Sequence, residues 1–141
     1  MAYKLMNDSG SPEDLIGMAV DEISEVKGEL EEWRDGMQGS NLENSEKFSM
    51  LEEAISQLDV FDSFSAPDEW PHADAKIVYH YSVNKRKKRG PSRAVRIDNA
   101  IAKVSAVVEF YQGLDDAEDH TDLITELEQL VIEVEVPGMY G

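Results

Sequence analysis

The sequence predicts a mainly α-helical fold: one domain over residues 1–141, built as a bundle of four to five helices, with a possible short extended segment at 76–84. Three observations predict it. Apolar residues recur at three-, four- and seven-residue steps through four long segments. Proline is absent from the interior of those segments, and turn residues bound them at Pro12, Gly36, Pro67, Pro71, Gly90, Pro91, Gly113 and Pro137. The chain has 141 residues, 41% of them hydrophobic and none of them cysteine, so a core must form without disulfide staples.

Residues 1–10 are polar and read as a flexible N-terminus. The first helix follows: Ser11 is a good N-cap, Pro12 fits the first helical position, and acids occupy the first turn. Its stripe is Ile16, Val20, Ile23, Leu30 and Trp33, and Gly36 is a plausible stop. A polar loop over "GSNLENSEK" precedes a second helix with the stripe Leu51, Ala54, Ile55, Leu58 and Phe61.

The segment "ADAKIVYHYSV" carries two patterns. Ile77, Tyr79, Tyr81 and Val83 alternate as in a strand, while Ala73, Ile77 and Tyr81 share one helical face. A lone strand has no obvious partner among helices, which favours the helix. A basic loop at 85–91 leads to a third helix with Ile97, Ile101, Val104, Val108 and Tyr111 inward, Ser92 as its cap and Gly113 as its end. The last helix starts near Thr121 and turns Leu123, Leu127, Leu130, Val131 and Val134 inward.

Charge is distributed in blocks. The formal net charge is -17, with 16 acidic against 4 basic residues up to Asp62, 4 against 8 from Ser63 to Ala100, and 10 against 1 from Ile101 onward. Seven of the 13 basic residues lie between Asn84 and Arg96. Such a block either grips an external polyanion or neutralises an acidic face of its own chain. Two acidic blocks would repel nucleic acid, so direct nucleic-acid binding is not expected even though Tyr79, His80 and Tyr81 adjoin the block. No apolar run approaches the roughly 18 residues of a membrane span, and the N-terminus reads as no signal peptide, so a cytoplasmic location is expected. Glycine phosphate loops, the Gly-x-Ser-x-Gly elbow and His-Glu-x-x-His are absent, and no catalytic residue is singled out. His72, His80 and His120 share no short metal-ligand spacing.

Two carboxylate pairs stand out. Glu22 and Glu25 on the first helix, and Asp59 and Asp62 at the end of the second, are each spaced i, i+3. Facing one another, they could hold a hard cation such as magnesium. At about 100° per residue, Asp62 continues the apolar stripe of its helix and points inward, Asp59 and Glu22 lie on flanks, and Glu25 is nearly opposite the core. An i, i+3 acidic pair is also common on a solvated face of so acidic a chain. Lys27 falls within the stripe of the first helix, so it could pair with Asp62 instead of a metal doing so.

The stretch "VDEISEVKGELEEW" resembles the second helix of the MazG-like all-α nucleoside triphosphate pyrophosphohydrolases. That superfamily carries Glu-x-x-Glu on one helix and Glu-x-x-Asp on the next, and Glu22, Glu25, Asp59 and Asp62 match it with Asp59 in place of Glu. The resemblance, over about residues 15–90, implies magnesium at those four carboxylates and a nucleotide substrate. It also implies phosphate contacts from Asn84, Arg86, Lys88 and Arg89, and a homodimer. The competing expectation is a non-enzymatic acidic interaction protein, a phage-type inhibitor or DNA mimic, that meets a basic protein partner through its carboxylates.

Overall fold

The computed structural model describes residues 3–37, 46–84 and 93–132. It is mainly helical, with strand β1 (Tyr3–Gly10), helices α1 (Pro12–Met37) and α2 (Glu46–Leu58), strand β2 (Ile77–Asn84), and helices α3 (Arg93–Gln112) and α4 (Thr121–Glu128). Short 3-10 turns occupy Asp59–Phe61 and Ala117–His120. The core runs between the helices, with Leu15, Ile23, Val26, Leu30, Leu51, Leu58, Phe61, Ile97, Val104, Tyr111, Leu127 and Leu130 all buried.

α1 begins as its sequence dictates. The Ser11 hydroxyl accepts the Asp14 N–H at 3.2 Å, and Pro12 takes the first helical position, where its missing N–H leaves no gap in the ladder. α2 buries its whole expected stripe. On α4, Leu127 and Leu130 are buried with Ile124, but Val131 is exposed because the helix ends at Glu128 and the chain turns out of register. Ser92 and Val134 lie outside the described residues.

The helix favoured after Pro71 does not form: the extended segment allowed at 76–84 is strand β2, Ile77–Asn84, and its partner is Tyr3–Gly10, which forms β1. The two pair antiparallel from Tyr3 opposite Asn84 to Gly10 opposite Ile77. Period two wins over period 3.6 because alternate residues meet different surroundings. Ile77 and Tyr79 are buried and Tyr81 is half-buried, whereas Val78 and His80 face solvent. An isolated two-stranded ribbon is marginal in water; this one is anchored by packing β2 on α3.

The 3-10 turn after α2 corrects another expectation. At three residues per turn, Phe61 falls directly above Leu58 and takes the inward position. Asp62 is thereby rotated outward, and its side chain is 55% exposed rather than buried.

Candidate functional site

Three carboxylates of α1 lie against cations of α3. Glu22 receives Lys103, and Glu29 receives Arg96 in a bidentate grip of 3.0 and 2.7 Å and Arg93 at 3.1 Å. Glu25 lies 3.5 Å from Arg96. Rising numbers on α1 meet falling numbers on α3, so the two helices run antiparallel with an acid-to-base seam between them. The geometry has identifiable causes. Glu22, Glu25 and Glu29 recur on one side of α1 at helical spacing, and Arg93, Arg96 and Lys103 do the same on α3.

Burial strengthens the seam. Lys103 is only 5% exposed and its ammonium also lies 5.3 Å from the centre of the Tyr79 ring, which ties β2 to the same place. Arg93 lies over Trp33 at 5.5 Å. Hydrogen bonding from the Arg96 guanidinium holds the Glu29 carboxyl below its usual range, and the same bond raises Arg96. Burial raises the Tyr79 phenol, with the Asp8 carboxylate of β1 adding to it.

Lys27 points from α1 the other way. Its ammonium contacts both Asp59 and Asp62, the latter at 2.5 Å, and those two hydrogen bonds push its pKa up. The four carboxylates matched to the MazG-like pattern are therefore each held by a basic side chain of the same chain: Glu22 by Lys103, Glu25 by Arg96, Asp59 and Asp62 by Lys27. Glu25 is exposed, as its angle on the helix predicts. Of the basic block, Arg93 and Arg96 are docked on α1, which is the self-neutralising role for those two. Asn84 ends β2 opposite Tyr3, and Arg86, Lys88 and Arg89 lie outside the described residues.

A second cluster was not visible in the sequence. His72, in the loop before β2, places Nε2 3.1 Å from Asp116 Oδ2, and His120 places Nε2 2.9 Å from the same oxygen. Among the described residues, these are the three whose ligand atoms converge as a group that could hold a metal, all within 4.8 Å of one another. The Asp116–His120 step of four residues is a readable helical spacing, but His72 is 44 residues from Asp116 and only the fold joins them. Hydrogen bonds from His72 and His120 lower the Asp116 carboxyl. Tyr111 supports the cluster: its hydroxyl donates to the Pro71 carbonyl at 2.7 Å, and burial pushes its pKa up to about 12.

A cleft of about 200 Å3 lies between the segment after α2 and α4, lined by Val60, Ser63, Phe64, Ser65, Glu126, Gln129 and Leu130. It offers no cationic side chain to a phosphate. No helix among the described residues is long and apolar enough to cross a membrane. No family model, curated protein or solved structure matches the chain.

Proposed function

We propose that this protein is a non-enzymatic interaction protein that presents a carboxylate surface to a basic protein partner, in the manner of an inhibitor occupying a nucleic-acid-binding face. One observation carries the reading. Beyond Lys103 the chain contains no lysine or arginine, and its described part folds into adjacent elements with Glu109, Asp115, Glu118, Asp119, Asp122 and Glu126 exposed. No basic side chain within that stretch can neutralise them. Glu22, Glu25 and Glu29 of α1, by contrast, are already matched by α3, and Asp59 and Asp62 by Lys27, and so serve the fold. A surface of one sign steers an oppositely charged partner and speeds its association.

The test is capture from an extract of the native host, with elution by salt and separately by duplex DNA. A basic nucleic-acid-binding protein should be retained, and both eluents should release it. A variant carrying Asp115→Asn, Glu118→Gln, Asp119→Asn and Asp122→Asn should lose the partner while melting at the same temperature or higher. If the purified protein instead releases pyrophosphate from a nucleoside triphosphate with magnesium, and Glu22→Gln or Asp59→Asn abolishes that release, the pyrophosphohydrolase reading replaces this one.

A further inference from the structure

We propose that His72, Asp116 and His120 bind one transition-metal ion of the zinc class, with water completing the coordination. The two Nε2 atoms and Asp116 Oδ2 converge on a single point from three separate places: the loop before β2, the turn after α3, and the end of the second 3-10 turn. A zinc ion bound tetrahedrally at about 2.0–2.1 Å needs donor atoms about 3.3 Å apart. The two separations to Asp116, 3.1 and 2.9 Å, are a few tenths short of that, and all three ligand atoms lie within 4.8 Å of one another, so an ion enters with small shifts of the three side chains.

The rings are held from behind. His120 packs on Tyr111 at 5.9 Å, and His72 meets Phe110 edge-on at 6.1 Å. Tyr111 itself is fully buried and fixes Pro71, the residue before His72. His72 adopts a φ of 54°, in the left-handed region that few non-glycine residues enter, and this backbone turn is part of what brings its ring to Asp116. An ion pair with Asp116 would need only one imidazole; a metal uses both. Side-chain exposures of 40% for His72 and 41% for Asp116 leave an open side for the ion and its water, while His120 at 16% forms the floor.

The donor set selects the ion. Two imidazoles and one carboxylate suit zinc, cobalt, nickel or copper, and magnesium and calcium prefer all-oxygen sites. Each histidine would bind as the neutral ring through Nε2, with its proton on Nδ1. The neighbouring carboxylates of Asp115, Glu118 and Asp119 raise the local concentration of cations. The three ligands are not among the surface carboxylates Glu109, Asp115, Glu118, Asp119, Asp122 and Glu126, and metal binding is read without a protein partner, so the site stands or falls independently of the surface proposed above.

The experiment uses the untagged full chain, stripped with EDTA, titrated with zinc by calorimetry and with cobalt by visible absorption. One equivalent of zinc should bind and raise the melting temperature, an equal concentration of magnesium should not, and cobalt should give the strong visible bands of a four-coordinate ion. His72→Asn tolerates the left-handed backbone and lies at the exposed edge, so it should fold normally and weaken zinc binding by on the order of 100-fold, the scale of losing even an outer-sphere partner. His120→Gln should do the same, and His80→Gln and Glu53→Gln should leave binding unchanged. Zinc binding that survives His72→Asn, equal binding of magnesium, or no stoichiometric binding at all would overturn the proposal.

Discussion

Arg96 holds Glu29 by two parallel hydrogen bonds, 3.0 Å from Nη1 to Oε1 and 2.7 Å from Nη2 to Oε2, and Arg93 adds a third at 3.1 Å. Charge-assisted bidentate contacts are the stronger class of hydrogen bond, worth about 1.5–3 kcal/mol. The Glu29 carboxyl is lowered from 4.5, so its contribution is present above about that pH and is lost as pH falls through the lower folded value. Glu29→Gln should therefore destabilise the protein by about 1–2 kcal/mol at pH 7. The difference should shrink below pH 4.5 and vanish at more acid pH, measured by urea unfolding at a series of pH values.

Lys103 gives a different expectation, because it is almost wholly buried with Glu22 as its ionic partner. Removing one side of a buried pair leaves a charge without compensation, at about 3–5 kcal/mol, whereas replacing both with apolar groups is often neutral. Glu22→Gln should cost about 3 kcal/mol, the lower end, since Glu22 retains some solvent contact. The double variant Glu22→Leu, Lys103→Met should recover most of that loss. A double variant as unstable as the single would show that the Tyr79 contact, not the ion pair, is what Lys103 supplies.

How much of this was legible in the sequence depends on whether the determining contact is local. The N-cap Ser11, the stripe Leu51–Phe61 and the face Ile97–Tyr111 are short-range patterns, and all are realised, with Ile101 half-buried at the edge of its face. The period-two signal of Ile77, Tyr79 and Tyr81 was also present, but the strand needs a partner, and β1 lies some seventy residues upstream in a stretch without apolar alternation. Extending the α-helical angle past Leu58 puts Asp62 inward, but the backbone there tightens to 3-10 geometry. Lys27 as the partner of Asp62 was open to sequence reading because both positions could be placed on facing helices. The His72–Asp116–His120 group was not, because no periodicity relates a loop residue to a turn 44 positions later.

The ribbon can be tested directly. Deleting residues 2–9 removes the partner of β2 along nearly its whole length. The backbone groups of β2 that paired with it would then be exposed beside the solvent-facing Val78. The truncated protein should melt at a lower temperature, lose amide protection from Ile77 to Asn84 in hydrogen exchange, and self-associate at high concentration. Retained protection in that segment would mean that α3 alone fixes the strand.

Lys27 decides between a structural and a metal role for the carboxylates after α2. Its side chain is 15% exposed, whereas those of Asp59 and Asp62 are 56% and 55% exposed, so the ammonium is the group that most needs its partners. Because two acids share it, Asp62→Asn alone should cost only about 0.5–1 kcal/mol, the range of an exposed pair. Asp59→Asn with Asp62→Asn leaves the ammonium without either, and the loss should exceed the sum of the single effects. The raised pKa of Lys27 fixes the pH behaviour: its contribution is complete below 10.5 and disappears only as pH rises through the higher folded value. The stability gap between wild type and Lys27→Met should accordingly stay constant from pH 7 to pH 10 and close only in stronger alkali. With EDTA or with excess magnesium, the wild type and the Asp59, Asp62 double variant should differ by the same amount. A magnesium-dependent rise in the wild-type melting temperature that the double variant lacks would mean that the ion displaces Lys27, and the nucleotide-hydrolysing reading would then take precedence over the acidic binding surface.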